Sequence, residues 1–304
     1  MKLAFYRFLT TLTRHLGPWT FRFFAWFIAA GYFLFFPGRV ARSIRFYRLL
    51  FPERGRLPAL RLTWRQYQNF TSVFLDRFLL QERGKIPYDS EGFHYLEEAV
   101  ASGRGGVLLM SHLGNWEVSA HLLKGKGMKL LLYVGEKHRE QIERMQKQSL
   151  SERGVRLVTA SPDAASPFDL VEAIRFLREG GLVSMTGDRL WHESQRSIPA
   201  SFAGHDTLLP ETPHLFSLLS GAPILPFFVY REARGRYCIR VSPPWTVKAA
   251  SRKDRDEAVR RSVQAYARIL EEETRRHPDQ WYHFEDFLGE EQRGDVEDAG
   301  GEEG

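Results

Sequence analysis

Short apolar runs recur along the chain, each separated from the next by a stretch of helical spacing. Residues 107–110 (VLLM), 129–134, 182–186 (LVSMT) and 224–230 (ILPFFVY) are too short for ordinary helices. They also lack the strict alternation of a strand with one wet face, so they read as strands covered on both sides. A fifth strand is predicted over 236–241, after the Arg234-Gly235 turn. Helices are predicted over 60–80, 91–101, 116–124, 139–153, 168–178, 213–220 and 252–276, and 187–206 reads as a long polar loop. Strands alternating with helices call for an α/β fold, a single domain with a central, mostly parallel sheet flanked by helices.

The N-terminus follows another rule. Residues 23–36 (FFAWFIAAGYFLFF) carry no charge, and Trp19 to Phe21 extend the run if Arg22 snorkels. Fourteen residues fall short of the roughly 20 that span a bilayer. Pro37-Gly38-Arg39 offers no small-x-small cleavage site, which argues against a signal peptide. Arg39, Arg42, Arg45 and Arg48 follow at steps of three, opposite Val40, Ile44, Tyr47 and Leu50. That pattern suits an interfacial helix on anionic lipid. The bland alternative is a buried helical hairpin. The divisions expected are therefore a membrane anchor with its basic helix over 1–51, a body over 52–288 and an acidic, disordered tail over 289–304.

Charge supports that division. The formal net charge is +6, yet the tail holds seven acids against Arg293, which leaves +12 on residues 1–288. A body that basic expects an anionic partner. No zinc-finger spacing, RNP-like strand or basic zipper is present, so the expectation is anionic membrane lipid and no nucleic acid. Cys238, the single cysteine, excludes an internal disulfide and any CxxC site. It alternates with Tyr237, Ile239 and Val241, so it reads as an inert strand thiol. H-E-x-x-H is absent, and His138, His205 and His283 lack metal-ligand spacing, so no metal and no bound cofactor are expected.

One segment carries chemistry. The strand over 107–110 ends in Ser111-His112-Leu113-Gly114-Asn115-Trp116-Glu117. A histidine beyond a buried strand, with a carboxylate five residues on, is a candidate base with its orienting acid. In one continuous helix five residues turn about 500°, and the two side chains would not meet. They can meet if His112 lies in a turn permitted by Gly114 and Glu117 opens a helix capped by Asn115. His121, one turn after Glu117, offers a competing pair. Ser111 reads as a strand-end hydroxyl, since no GxSxG elbow surrounds it.

SHLGNWE resembles the H-x4-D/E motif of the glycerolipid acyltransferase superfamily, and its Gly-Asn-Trp filling resembles the lipid A late acyltransferase branch. The aromatic N-terminal segment, LREGGLVSMTGDR, the F-x-G element at 202–204, SGAPILPFF and PDQWYHFEDF are similar to that branch as well. Two positions depart from it. Asp188-Arg189 stands where relatives commonly read Asp-Gln, and Pro210-Glu211-Thr212-Pro213 replaces Pro-x-Gly-Pro.

The resemblance implies acyl transfer from a thioester co-substrate, usually on acyl carrier protein, to a hydroxyl of a glycolipid or lysolipid acceptor at the cytoplasmic face of the inner membrane. Lipid A precursors, mannosylated phosphoinositides and aryl-polyene-type acceptors all stay open. His112 and Glu117 take the catalytic roles in this reading. Asp188, Arg189, Asn115 and Arg153 are the candidates for substrate contact, Arg189 as a cation for an oxyanion or a phosphate. The alternative for Arg189 is an ion pair with Asp188 or Glu193, and for Arg153 a solvated helix end. A non-catalytic membrane adaptor and a lipid hydrolase are the rival functions.

Overall fold

The computed structural model describes residues 3–84, 86–135, 156–160, 167–191, 195–232 and 235–288. Four helices open the chain: α1 (Leu3–Leu16), α2 (Pro18–Phe35), α3 (Pro37–Leu50) and α4 (Arg56–Arg83). Proline stands first in α2 and in α3, where its fixed φ suits a helix start and its missing N–H costs nothing. The axes of α2 and α3 differ by 92°. The helix expected over 60–80 is longer at both ends. Pro58 falls in its first turn, which needs no intrahelical N–H partner, and the left-handed Gly84 ends it.

Beyond α4 come β1 (Tyr88–Glu91), α5 (His94–Ala101), β2 (Gly106–Met110), α6 (Trp116–Gly125), β3 (Leu130–Gly135) and β4 (Arg156–Ala160). Then follow α7 (Pro167–Arg178), β5 (Leu182–Thr186), β6 (Ser197–Phe202), β7 (His205–Pro210), α8 (Thr212–Ser220), β8 (Ile224–Arg231), β9 (Tyr237–Val241) and α9 (Arg255–Arg276). The helix expected over 139–153, with Arg153, and the acidic tail over 289–304 lie outside the described residues.

Seven strands form one sheet in the order β1-β9-β8-β2-β5-β3-β4. Every pairing is parallel except β8 with β9. The fold is therefore α/β with a mostly parallel central sheet flanked by helices. Residues of β2 divide between two cores: Val107 and Leu109 face α7, α8 and α9, whereas Leu108 and Met110 face α5 and α6. Burial on both faces explains why β2 reads as an unbroken apolar run.

Three features differ from the sequence reading. β1 (YDSE) is a polar, mostly exposed edge strand, whose one strand partner among the described residues is β9. The loop expected over 187–206 contains β6, which pairs antiparallel with β7 through Ala203-Gly204, both at positive φ as a two-residue hairpin demands. Pro199 within β6 masks the strand pattern, and its edge position is where proline is tolerated. Finally, α3, expected with the anchor, buries Tyr47 and Leu50 in the same core as β2. Arg42, expected over lipid, pairs with Asp286 at 3.1 Å. Cys238 sits on the half-buried face of β9, and burial pushes its thiol up to about 11, which leaves it unreactive.

Candidate active site

In open α/β sheets, ligands bind beyond the carboxyl ends of the strands. β2 and β5 are neighbours in register, Met110 opposite Thr186, so their two exits open side by side. His112 follows β2 by two residues and Asp188 follows β5 by two. Gly187 makes the approach feasible. A Cβ there would lie 2.6 Å from the Tyr266 ring and 2.7 Å from Leu109.

The two side chains meet. His112 Nδ1–H donates to Asp188 Oδ1 at 3.0 Å, and the His112 backbone N–H donates to Oδ2 at 2.8 Å. Trp281 Nε1–H donates to the same Oδ2 at 2.8 Å. Burial pushes the Asp188 carboxyl up, but His112, His283 and the Trp281 indole outweigh it and hold the group down at about 2. An ionised carboxylate only accepts, so it fixes the ring proton on Nδ1 and leaves the Nε2 lone pair free. Nε2 has no hydrogen-bond partner among the described residues, and the His112 side chain is 18% exposed. That is the arrangement of a base with its orienting acid.

The loop between β2 and α6 is pinned from behind. Gly114 sits at φ +88°, and a Cβ there would stand 2.0 Å from the Val229 carbonyl oxygen. Asn115 N–H donates to that same carbonyl at 2.9 Å. The closing segment 278–288 crosses over the loop: Gly114 N–H donates to the Gln280 carbonyl at 2.9 Å and Tyr282 N–H to the His112 carbonyl at 3.0 Å. Tyr47 of α3 and Asn69 of α4 donate to the carbonyls of Pro278 and Asp279, at 2.7 and 3.1 Å. The loop is therefore clamped between the sheet and the helices α3 and α4.

The other candidates separate. Glu117 falls in the first turn of α6, where the sequence puts it, but its side chain lies outside the described residues. The carboxylate on Nδ1 is Asp188, which comes from a different strand and was expected to contact substrate. Asn115 is buried and spent on the fold: its Oδ1 accepts the Val118 N–H and its Nδ2 donates to the Tyr237 hydroxyl at 3.1 Å. Arg189 lies beside Asp188, but its guanidinium is held by Glu285, with Nε donating to Oε2 at 3.1 Å and Nη2 to Oε1. Its charge is neutralised there, by an acid the sequence reading did not consider.

Sequence reasoning missed Asp188 as orienter, Trp281 and His283. The His283 ring lies 6.2 Å from that of His112, edge to face. Burial lowers His283 to about 4 against the pull of Glu285 and Asp188, so it stays neutral beside His112. Among the described residues no group of three or more His, Cys, Asp or Glu is placed to hold a metal ion.

The sequence model of the bacterial lipid A biosynthesis acyltransferase family matches residues 12–287. The chain belongs to that family. His112, Asp188 and Trp281 all fall inside the matched span. Two curated relatives, both phosphatidylinositol mannoside acyltransferases of Mycobacterium tuberculosis (strains H37Rv and CDC 1551), are each 27% identical over 152 residues. Those matches cover 47% of this chain and 44% of each relative, so the chain aligns with less than half of their length.

Proposed function

We propose that this chain is an O-acyltransferase that moves a fatty acyl group from a thioester, carried on acyl carrier protein, to a hydroxyl of a membrane glycolipid. The observation that carries the reading is the Asp188–His112 hydrogen bond of 3.0 Å, with Nε2 left without a hydrogen-bond partner among the described residues. Family membership supports acyl transfer, and the relatives' name favours a glycosylated lipid acceptor.

In this reaction His112 Nε2 takes the proton of the acceptor hydroxyl as its oxygen attacks the thioester carbonyl. The C–O bond forms, the tetrahedral intermediate collapses and the C–S bond breaks. The imidazolium then returns its proton to the departing thiolate, so the thiol leaves and His112 is neutral again. Asp188 stabilises the imidazolium while it exists. Neither the buried Ser111 nor the inert Cys238 forms an acyl-enzyme. The enzyme works at the cytoplasmic face of the inner membrane, where thioester donor and lipid acceptor meet.

Incubation with acyl carrier protein thioester, with and without glycolipid, tests this reading. Acylated glycolipid that forms only with both substrates is the expected product. Free fatty acid without acceptor would make the protein a hydrolase, and no turnover would make it an adaptor.

A further inference from the structure

Twelve of the first 75 residues are Lys or Arg, and only Glu53 is acidic. Within that stretch α2 is divided along its length. Thr20, Phe21, Ala25 and Ala29 are buried, and Phe21 and Ala25 pack with Phe74 and Phe78 of α4. The opposite face exposes Trp19 (62%), Phe23, Trp26 and Phe27, and the exposed run continues through Leu34, Phe35 (80%) and Phe36 at the corner with α3. These residues recur at helical spacing, so they form one apolar surface rather than scattered contacts.

An open cleft of about 420 Å³ adjoins this face, lined by Phe33, Leu60, Arg61, Trp64 and Arg65. Its floor is aromatic and aliphatic, with Trp64 set edge to face against both Trp26 and Phe33. Two guanidinium groups belong to its lining. Arg65 is committed to Asp279 at 2.7 Å, whereas Arg61 is exposed and has no ion pair among the described residues. An apolar cleft with a cation beside it fits an acyl chain attached to a phosphate. An acidic protein would use the cations but leave the aromatic face in water.

The same layer favours an in-plane placement over a span. No described helix is long and apolar enough alone, and the α2–α3 pair that passes together is bent by 92°. Furthermore, α2 packs along α4, which carries Arg61, Arg65, Gln66, Asn69, Asp76 and Arg77. Taking those groups into hydrocarbon is too costly for the layer to cross.

We propose that α2 and the α2–α3 corner lie in the plane of an anionic phospholipid leaflet, with one phospholipid chain in the α2–α4 cleft and its phosphate on Arg61. This rests on the membrane placement proposed above and names its mode and its lipid. Because Arg65 ties α4 to Asp279, docking also sets the height of the His112 site above the bilayer. Vesicle binding needs neither donor nor acceptor, so its failure and the failure of acyl transfer are independent results.

The test uses the full chain with phosphatidylglycerol/phosphatidylcholine vesicles and with pure phosphatidylcholine vesicles. Binding is expected to favour the anionic vesicles. Arg61→Glu with Arg39→Glu should cut that affinity by about tenfold or more, since each cation near an anionic surface contributes to binding. Phe23→Ser with Phe27→Ser should weaken binding to both vesicles at an unchanged melting temperature. Trp19 and Trp26 are two turns apart on one face, so a flat α2 holds both at one depth, whereas a crossing helix separates them by about 10 Å. Bromolipid quenching of the wild type against Trp19→Phe and Trp26→Phe reads that depth. Equal depths are expected. Unequal depths, no preference for the anionic vesicles, or binding of acyl carrier protein but not of vesicles at this face would overturn the proposal.

Discussion

Replacing Asp188 with Asn tests the proposed catalytic arrangement at its least obvious point. Asp188 Oδ2 accepts from two fixed donors, the His112 backbone N–H and the Trp281 indole, both at 2.8 Å. Oδ1 accepts from the His112 ring at 3.0 Å. An asparagine has only one acceptor oxygen, and two donors hold it at the Oδ2 position. Its NH2 group must then face Nδ1, which becomes the acceptor. The ring proton moves to Nε2 and occupies the lone pair that should take the hydroxyl proton. An enforced wrong tautomer at such a pair costs about 10⁴ in kcat, or roughly 5 kcal/mol. Steady-state kinetics with acyl carrier protein thioester should show kcat falling by about 10³ to 10⁴ with KM for the donor little changed. Imidazole ¹⁵N shifts should report the tautomer change. Glu117→Gln, which leaves that hydrogen bond intact, should cost about tenfold or less. If Asp188→Asn stays within tenfold of wild type while Glu117→Gln falls by about 10³, the orienting acid is Glu117 and the reasoning fails.

Three further outcomes follow from the same contacts. Trp281→Phe keeps an aromatic ring against Phe46, Phe202 and Phe287 but removes the donor to Asp188. Losing a hydrogen bond to a charged group should lower kcat about tenfold and unfolding stability by about 1.5–3 kcal/mol, measured by urea titration. His214 and His283 are held by burial at about 3 and about 4, neutral in the fold. The unfolded chain protonates them below about 6.5, so stability should fall as pH drops through that value, by about 2 kcal/mol for His214 at about pH 5. Urea midpoints should show the slope, and His214→Asn should flatten it. Lastly, the basic body should steer an acidic carrier, so salt near 0.5 M, where the Debye length is about 4 Å, should lower kcat/KM more for acyl carrier protein thioester than for a coenzyme A thioester. Equal sensitivity would exclude a carrier-docking surface.

Parts of this site were legible in the sequence because their signal is local. β2, β5 and β8 are buried on both faces, so unbroken apolar runs mark them. His112 stands just past such a run, and Gly114 and Asn115 announce the turn and cap that follow. β1 and β6 were illegible for the opposite reason: one is polar and exposed, the other carries Pro199. The acid on His112 was harder still. Asp188 is 76 residues away and Trp281 a further 93. Only the sheet order, which sets β5 beside β2, brings Asp188 to His112, and only the closing segment lying across the loop brings Trp281. Glu117 is five residues from His112 and fills the H-x4-D/E pattern, a local signal, whereas its side chain lies outside the described residues. For Arg189 the sequence offered a substrate cation or an ion pair with Asp188 or Glu193, because its actual partner, Glu285, is 96 residues away.

The most direct measurement follows a labelled acyl group from acyl carrier protein thioester in the presence of a mannosylated phosphoinositide acceptor, with wild-type protein and with folded His112→Ala. The label should appear in the glycolipid as an ester, with intact-protein mass unchanged throughout turnover. His112→Ala should slow its appearance by about 10² to 10⁴. Label on the protein, or transfer by His112→Ala at the wild-type rate, would contradict direct transfer by a histidine base.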